Sequence, residues 1–399
     1  MLRDELLSAL ARADLDGRRV CVVVPDATRA CPLAGLLSAV HDALAGRVAS
    51  LTVLVALGTH PPMAPDALRS WLGADSLPGA RLGQHAWWDP SALVTVGVVT
   101  AARIRELSGG LLDEDVPVRL NRAVVDHDVV IVLGPVLPHE VAGFSGGTKY
   151  LVPGVAAAEV IDVSHWLGAL ITSAAIIGTP GTTPVRALID DAAALVPADV
   201  LACCVVTVGS GSGVCHLSVG EPGEAWAAAV RVAAQVHVRY LDRPVGRVVS
   251  VIPERYDDMW TAAKGFYKVE PVVADGGEVV LVAPHVTTFS AAHPEIERIG
   301  YHCRDWFLGQ PQRMTGIPRG VVAHSTHLRG AGSWSPDAGE RARVRVTLAT
   351  GMPRERVEAA GLGWADPAAL DWAGFAADPS TLVVPDAGEM LFRLGRSPG

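Results

Sequence analysis

Short apolar runs rich in β-branched residues alternate along the chain with segments of helical periodicity. The run RVCVVVP at residues 19–25 predicts a buried strand, and the periodic segment at residues 33–45 predicts a helix after it. The same order of strand, polar tip and helix returns at residue 50 and again after residue 247. It is typical of α/β proteins with mainly parallel sheets, which bind ligands at the carboxyl ends of their strands. We therefore predict two α/β domains with mainly parallel sheets and an interdomain active-site cleft.

The segment DRPVG is a predicted linker between these domains. It places an N-terminal α/β domain at residues 1–243 and a C-terminal α/β domain at residues 244–380. A tail at residues 381–399 follows, and it can return to the N-terminal domain. Apolar runs at residues 124–133 and 320–324 are also predicted as strands.

Composition limits the classes of protein to which the chain can belong. Half of its 399 residues are hydrophobic and only 19% are charged, so a full core can be buried. A net charge of −9 gives no electrostatic footprint for nucleic acid. No apolar run reaches the roughly 20 residues needed to span a bilayer, and the acidic N-terminal helix does not suit a signal peptide. The six cysteines have no zinc-ligand spacing, and the simplest prediction is a reduced cytoplasmic protein.

The stretch PHEVAGFSGGTKYLVPG at residues 138–154 holds the most distinctive local pattern. A turn of small residues runs into Lys149, which is one of only three lysines among 33 basic residues. Consecutive glycines let a ligand approach closely and turn backbone N–H groups toward an anion such as phosphate. A lysine can serve as a nucleophile or covalent anchor where an arginine cannot, so we interpret Lys149 as a site residue. Chance survival among arginines is the open alternative.

Two familiar interpretations of this pattern are disfavoured by spacing. A P-loop needs glycine before its lysine and serine or threonine after it, whereas Thr148 and Tyr150 flank Lys149. The 13 histidines show neither HExxH nor HxH spacing, which gives a zinc hydrolase weak support. Histidines near strand ends or the turn can be metal ligands, general bases or ordinary structural imidazoles. Those singled out are His60, His139 and His165, together with His324 and His327, whose role the sequence leaves open.

Charged residues at two other places suggest an anion site. Asp26 and Arg29 follow the first predicted strand, where they can pair with each other or bind an anion. Lys264 lies one turn after Trp260 on a predicted helix, on the same face. Arg29 and Lys264 together would clamp a carboxylate, the arginine supplying a bidentate fork and the lysine a point charge. A solvated helix face is the alternative for Lys264.

Taken together, these motifs resemble the nickel-dependent lactate racemase family and its wider set of 2-hydroxyacid racemases and epimerases. The family is known for a nickel-pincer nucleotide, a pyridinium-3,5-dithiocarboxylic-acid-type mononucleotide whose sulfur and carbon atoms hold nickel. The motifs span most of the chain in the expected order, and the central one is the most specific. They are DATR at residues 26–29, GTH at 58–60, the spacing of His139, Lys149 and His165 around GFSGGTKYLVPG, AAKG at 262–265 and GGEVVLVAP at 276–284.

The resemblance implies an isomerase that uses hydride transfer, and a role for each candidate residue. Lys149 would tether the cofactor, and His165 would be the protein ligand to nickel. His60 and His139 would be the two catalytic bases. The N-terminal domain would carry the cofactor site, and the C-terminal domain would contribute substrate-binding residues. The remaining implied positions are the cofactor-binding turn of Gly143, Ser145, Gly146, Gly147 and Thr148, and the substrate-binding residues Asp26, Arg29, Trp260, Thr261 and Lys264.

Departures from the family pattern concern the substrate wall. Lactate-acting members carry tyrosine where Trp260 stands, glutamine where Thr261 stands, and usually arginine where Pro61 follows GTH. We therefore expect a 2-hydroxy acid other than lactate, a longer or more polar one such as an aldonate, which would make the reaction an epimerisation. Cofactor-biosynthesis proteins would be needed for loading, and homo-oligomerisation is left open. A non-catalytic carrier or sensor of the cofactor nucleotide and a metal-dependent hydrolase remain alternatives.

Overall fold

The run RVCVVVP forms the strand Arg19–Pro25, and every residue of it after Arg19 is buried. Such a strand needs cover on both faces, which is the usual environment of a strand in a parallel sheet. The helix Leu33–Leu44 supplies part of that cover, because Leu33, Leu37 and Leu44 lie on one face of it and are buried. The computed structural model describes residues 2–209 and 211–395.

The strands and helices are numbered in chain order. The strands are β1 (Arg19–Pro25), β2 (Ser50–Ala56), β3 (Arg81–Gln84), β4 (Leu93–Val99), β5 (Val116–Asn121), β6 (Val129–Pro135), β7 (Pro138–His139), β8 (Gly143–Phe144), β9 (Asp199–Val208), β10 (Gly213–Gly220), β11 (Val238–Leu241), β12 (Val245–Val251), β13 (Val273–Ala283), β14 (Gly332–Ser335), β15 (Gly339–Ala342), β16 (Arg345–Thr350), β17 (Gly363–Trp364), β18 (Thr381–Val384) and β19 (Leu391–Leu394). The helices are α1 (Leu2–Arg12), α2 (Leu33–Leu44), α3 (Pro65–Leu72), α4 (Ala101–Leu107), α5 (Arg122–Val125), α6 (Ala158–Ile171), α7 (Ser173–Ile176), α8 (Pro184–Ala193), α9 (Pro222–Val236), α10 (Met259–Ala262), α11 (Lys264–Tyr267), α12 (Glu295–Ile299), α13 (Arg304–Gly309), α14 (Arg319–Arg329), α15 (Arg354–Ala359) and α16 (Trp372–Ala377).

The chain divides into two compact units, each built from several segments. The first unit comprises Met1–Leu137, Phe144–Ser164 and Pro180–Val236. The second unit comprises Pro138–Gly143, His165–Thr179 and His237–Gly399. The predicted domain ranges and the predicted cleft stay predictions.

The first unit contains a sheet of strand order β10-β9-β6-β1-β2-β3. Its neighbouring strands are parallel except for β9 and β10. Because β1 lies between β6 and β2, the loops that follow these three strands leave the sheet at the same edge. Side chains of α1 and α2 pack on one face of the sheet and form the main core of this unit with Val22, Val53 and Ile131.

The second unit contains a sheet of strand order β17-β16-β13-β12-β18, in which all neighbours are parallel. A separate parallel pair joins β11 to β19. Within the predicted C-terminal tail, β18 therefore adds to the sheet beside β12, and β19 pairs with β11. The last four residues of that tail, 396–399, lie outside the described residues.

The predicted α/β class with mainly parallel central sheets is confirmed, but two predicted strands are wrong. Residues 320–324 belong to α14, whose residues from Val321 to Leu328 are all buried. A helix that is buried on every side lacks amphipathic periodicity, so its apolar, β-branched start resembled a strand. The run at residues 124–133 is divided between α5 and β6. Within the described residues, 2–209 and 211–395, no helix has the length and apolarity that crossing a membrane requires.

Candidate active site

A carboxylate–imidazole pair stands at the carboxyl edge of the sheet in the first unit. Asp26 directly follows β1, and His60 comes four residues after the end of β2. Because β1 and β2 are parallel neighbours, the two side chains meet, and His60 Nδ1 lies 2.5 Å from Asp26 Oδ2. The other carboxylate oxygen, Oδ1, accepts hydrogen bonds from the backbone N–H of Thr28 at 3.1 Å and from its hydroxyl at 2.6 Å.

The pair fixes the tautomer of His60. An ionised carboxylate only accepts hydrogen bonds, so Nδ1 of His60 carries a proton, and in the neutral ring the lone pair is on Nε2. The backbone of His60 is also held, since its N–H donates to Leu57 O at 2.9 Å and its carbonyl accepts from Trp87 Nε1 at 3.0 Å. The carboxylate oxygens of Asp26 contact Thr28 and His60, a geometry that suits the orientation of His60. Its predicted support of the substrate-binding cations stays a prediction.

Arg29 lies half-buried just beyond Asp26, and its backbone N–H donates to Asp26 O at 3.2 Å. Burial raises the pKa of the Tyr150 hydroxyl well above its usual value, and the nearby charge of Arg29 opposes that rise. Tyr150 also donates to Pro135 O at the end of β6. Arg29 and the segment that carries Lys149 therefore lie at the same edge of the sheet.

The glycine-rich turn depends on two glycines, because of their backbone conformation and their close packing. Gly146 and Gly147 have φ values of 82° and 59°, which a side chain rarely allows. A Cβ atom on Gly146 would lie 2.5 Å from Val136, and one on Gly147 would lie 3.2 Å from Trp226. Close packing of the turn against its neighbours thus requires both glycines.

Three backbone N–H groups at residues 145–149 donate within the protein, which bears on the expected phosphate seat. The N–H of Ser145 donates to Leu137 O at 2.8 Å, and the N–H of Lys149 donates to Gly146 O at 3.3 Å. The N–H of Gly147 donates to the thiol of Cys204. These three amides therefore do not fit the predicted role of cradling a phosphate. The turn presents Lys149, which is half-buried in a short 3-10 helix.

Sequence reasoning missed a group of buried side chains that contact this turn. Arg186 of α8 is 1% exposed, and its guanidinium donates to the carbonyls of Phe144 and Gly146 and to the hydroxyl of Thr148. That hydroxyl donates in turn to Asp190 at 2.5 Å. Trp226 of α9 donates from Nε1 to Ser145 O at 2.9 Å, and the guanidinium lies 4.1 Å from the centre of its ring.

His139 lies in the second unit and has a different environment from that of His60. Its side chain is 4% exposed, and its Nδ1 accepts a hydrogen bond from the backbone N–H of Val141 at 3.1 Å. Nε2 lies 3.6 Å from the carboxylate of Glu140. The segment is fixed by Lys268, whose buried ammonium donates to Pro138 O. Lys268 is therefore a structural lysine.

Trp260, Thr261 and Lys264 lie on α10 and α11 of the second unit. The ring of Trp260 stacks against His324 at 4.0 Å and against His293 at 4.3 Å between ring centres. The hydroxyl of Thr261 donates to the carboxylate of Asp258 at 2.9 Å, which caps the start of α10. The predicted contact of Thr261 with substrate stays a prediction.

Lys264 is buried, and its ammonium lies 4.7 Å from the centre of the Tyr256 ring. A cation over an aromatic face is stabilised electrostatically, which helps to keep the ammonium charged in a buried place. Arg255 packs against the same ring at 5.0 Å. The geometry suits the predicted binding of a carboxylate by Lys264.

His165 is half-buried on α6 and lies close to His324 and His327 of α14. Burial lowers the pKa of His324 well below its usual value and lowers that of His327 to about 4, and the charge of His165 adds to both effects. His327 Nδ1 lies 2.5 Å from Ser173 Oγ, and His324 Nδ1 lies 3.2 Å from Tyr267 Oη. The two α14 histidines are therefore neutral, buried neighbours of His165.

Among residues 2–209 and 211–395, no group of three or more His, Cys, Asp and Glu side chains is arranged to hold a metal ion. A single imidazole such as that of His165 suits a metal that arrives with most of its ligands already bound. Lys149 suits the attachment of such a group, because a lysine can lose its proton and act as a nucleophile.

A family model and two curated proteins are similar to the N-terminal part of the chain. The model of the lactate racemase N-terminal domain matches residues 4–178. A lactate racemase from Thermoanaerobacterium thermosaccharolyticum is 25% identical over 150 residues, which are 37% of this chain and 32% of that protein. A lactate racemase from Lactiplantibacillus plantarum is 30% identical over 117 residues, which are 29% of this chain and 24% of that protein. The alignments thus span less than a third of either relative.

Two solved structures are similar over almost the whole chain. A crystal structure of a protein from Thermotoga maritima has a TM-score of 0.88 and 31% sequence identity, and the match covers 98% of both chains. The lactate racemase apoprotein from Thermoanaerobacterium thermosaccharolyticum has a TM-score of 0.71 and 18% identity, over 98% of this chain and 92% of that chain. At that identity the second match is a likeness of fold.

Proposed function

Since the chain belongs to the lactate racemase family, we propose that it inverts the C2 stereocentre of a 2-hydroxy acid with the help of a nickel-pincer nucleotide. The observation that carries this proposal is the pairing of His60 with Asp26 at the edge of the sheet where Arg29 and the Lys149 turn also lie. A polarised imidazole beside a cation that can bind a carboxylate is what a 2-hydroxy acid requires.

His60 is the proposed base for the substrate hydroxyl. Its Nε2 lone pair takes the proton, and the Asp26 carboxylate stabilises the imidazolium that forms, as the aspartate does in a serine-protease triad. His139 is the proposed second histidine, acting on the hydroxyl of the opposite enantiomer. Each proton transfer is worth about 10²–10⁴-fold in rate.

The reaction needs a cofactor because the hydrogen on C2 is very weakly acidic beside a carboxylate. When bound, the nickel-pincer nucleotide supplies a reversible acceptor for that hydrogen as hydride, so no carbanion has to form. We propose that Lys149 tethers this nucleotide and that His165 is its protein ligand to nickel. We assign the turn at residues 143–148 to the placement of Lys149 rather than to phosphate binding, because the backbone amides of Ser145 and Gly147 donate within the protein.

Arg29 and Lys264 are the proposed partners of the substrate carboxylate. The planar guanidinium of Arg29 offers two parallel N–H donors, whereas the Lys264 ammonium is a compact charge. Burial of Lys264 against Tyr256 strengthens its attraction for an anion, because the field of a charge is less screened away from water.

The proposed substrate is a longer or more polar 2-hydroxy acid than lactate, such as an aldonate, so the reaction would be an epimerisation. Trp260 is the main support for this choice. Its ring contacts the imidazoles of His324 and His293, which hold it in place as part of the proposed substrate wall. Thr261, whose buried hydroxyl is bonded to Asp258, is shorter than the glutamine that lactate-acting members carry at this position.

A stereochemical assay in D2O tests the proposal. The protein would be co-expressed with a cofactor-making pathway and incubated with a panel of enantiopure 2-hydroxy acids, including lactate and aldonates. We expect inversion without solvent deuterium at C2, because the hydride that leaves C2 is the one that returns. Deuterium at C2 would rule out hydride transfer, and activity on lactate alone would contradict the substrate class.

Intact-mass spectrometry of the same preparation tests the cofactor assignment. We expect an adduct that maps to Lys149 and is absent from Lys149→Ala. Variants His60→Ala and His139→Ala separate an enzyme from a carrier of the nucleotide. Both variants should keep the adduct and lose inversion, whereas a carrier would show no inversion to lose.

A further inference from the structure

We infer that Arg186 is the positioning residue for Lys149, because its guanidinium fastens the turn that ends in that lysine. The inference rests on the proposed attachment of the cofactor at Lys149. It assigns a role to a buried cation for which the proposed reaction has no direct use. The role would be to hold the backbone before Lys149 in one place, so that the amine meets its partner in a fixed orientation.

The guanidinium of Arg186 donates hydrogen bonds to three residues of the turn. Nη2 donates to Phe144 O at 2.7 Å and to Gly146 O at 3.3 Å. Nη1 donates to the same Gly146 oxygen at 3.3 Å and to Thr148 Oγ1 at 3.1 Å. The two amino groups of one guanidinium thus converge on a single carbonyl and tie it to the residues on either side. The last of these acceptors, Thr148, immediately precedes Lys149.

A buried guanidinium is a costly way to satisfy carbonyl groups. Burial lowers the pKa of Arg186 to about 10, which shows that the charge is poorly solvated there. Asp190 is the nearby carboxylate, 3.9 Å from Nη1, and it is bound through the Thr148 hydroxyl. A lysine at position 186 would keep the charge but could not place planar donors on three acceptors at once.

Two helices bring further support to the same short stretch. Thr183 caps α8 by accepting from the backbone N–H of Arg186 at 3.0 Å, which fixes the base of the arginine. Trp226 of α9 bonds to Ser145 O and stacks on the guanidinium. Two side chains, those of Arg186 and Trp226, therefore hold four groups of the turn, namely the carbonyls of Phe144, Ser145 and Gly146 and the hydroxyl of Thr148. This degree of constraint suits an attachment point that must not move.

Amine labelling measures the position of Lys149 without any cofactor. The chain has only three lysines, so trace acetylation with acetic anhydride, read by peptide mass spectrometry, reports each of them. The variants are Arg186→Lys and Arg186→Met, and the matched control is Arg343→Lys. Arg343 also donates to backbone carbonyls, those of Val273 and Glu270, but it does so in the second unit.

We expect opposite changes for a small reagent and for the cofactor. In both Arg186 variants the half-buried amine of Lys149 should be acetylated about tenfold faster than in the parent protein, since losing charge-assisted hydrogen bonds frees the turn. Acetylation of Lys264 and Lys268 should stay unchanged. After co-expression with the cofactor-making pathway, the fraction of Lys149 carrying the adduct should fall about tenfold, because a mobile amine is no longer oriented. The Arg343→Lys control should show neither change.

Two results of the labelling experiment would contradict the inference. Equal acetylation of Lys149 in the parent and the variants would overturn it, and so would a rise of the same size at all three lysines, which indicates general loosening. If the Arg186 variants fail to fold, Thr148→Val removes one acceptor of the guanidinium, with Thr148→Ser as its control. A rise at Lys149 is then expected for valine alone, and no rise would overturn the inference. If the parent protein forms no adduct, the proposed function fails, while acetylation still decides the role of Arg186.

Discussion

His60 in the first unit and His139 in the second are the two candidate bases, and their rings are held in opposite ways. Nδ1 of His60 donates to a carboxylate, that of Asp26, whereas Nδ1 of His139 accepts from a backbone N–H, that of Val141. The side chain of His60 is 22% exposed, and that of His139 is 4% exposed.

The difference teaches that the two histidines are not interchangeable. His60 keeps its lone pair on Nε2, and a proton added there is stabilised by Asp26. Because the Val141 N–H can only donate, the neutral ring of His139 carries its proton on Nε2. For His139 to act as a base at Nε2, that proton must move to Nδ1 and the bond from Val141 must break. In this arrangement His60 is prepared to take a proton, and His139 is prepared to donate a hydrogen bond.

The largest expected effect comes from removing the carboxylate that makes His60 different. Asp26→Asn should lower kcat/KM for inversion about 10²–10⁴-fold, because an amide neither fixes the tautomer nor stabilises the imidazolium. The matched control is Glu140→Gln, which changes the carboxylate beside His139. The Glu140 carboxylate lies 3.6 Å from Nε2, which is beyond hydrogen-bond distance, so a change of about threefold or less is expected. Equal losses in the two variants would show that the histidines work alike.

The Asp26–His60 pair also shows which parts of the site the sequence could predict. The strands and the polar residues after them could be predicted because burial of a strand and the chemistry of a turn depend on short stretches of sequence. The pairing of Asp26 with His60 could not, since it depends on β1 and β2 being neighbours, which is a property of the whole sheet. Local pattern could place both residues after strands but could not decide between anion binding and orientation of a histidine.

Arg186 was overlooked, and the start of α14 was predicted as a strand, for a related reason. Arg186 and Asp190 are spaced like an exposed i, i+4 ion pair, so nothing in the local sequence marks the arginine as buried. The signal that could have drawn attention to it is the helix start TTPVR, with a cap and a proline before the arginine. Burial on all sides removed the helical periodicity of α14 in the same way. At Arg186 and in α14, burial is therefore not visible in the local sequence pattern.

Another histidine of the first unit, His85, is expected to make the stability of the protein depend on pH. His85 is fully buried; it bonds to Ala156 O at 3.0 Å through Nε2 and to the amide of Asn121 at 3.1 Å through Nδ1. Burial lowers its pKa from 6.5 to about 4. Below pH 6.5 the unfolded chain therefore binds a proton that the folded chain refuses until about pH 4. The stability is present above the unfolded pKa and is lost as the pH falls through this window.

The size of this effect follows from the two pKa values. The free energy of unfolding should fall by about 2 kcal/mol between pH 7 and pH 5 through His85 alone. Urea unfolding of the parent protein and of His85→Gln at the two pH values measures it. The variant will be less stable at pH 7 but should lose about 2 kcal/mol less on acidification. Parallel losses in both proteins would mean that His85 titrates normally in the folded state.

The smallest expected effect lies in the second unit, at Thr261. Its hydroxyl is committed to Asp258, at 2.9 Å, so Thr261→Ser should leave kcat and KM within about twofold of the parent for the preferred substrate. Thr261→Val removes the hydrogen bond and should cost about 1 kcal/mol of unfolding free energy, again with little change in KM. Steady-state kinetics and urea unfolding of both variants separate the two possibilities. A rise in KM that appears in Thr261→Val and not in Thr261→Ser, without loss of stability, would mean that the hydroxyl binds substrate. Substrate recognition by the second unit would then include a hydrogen bond from Thr261 in addition to contact with the Trp260 ring.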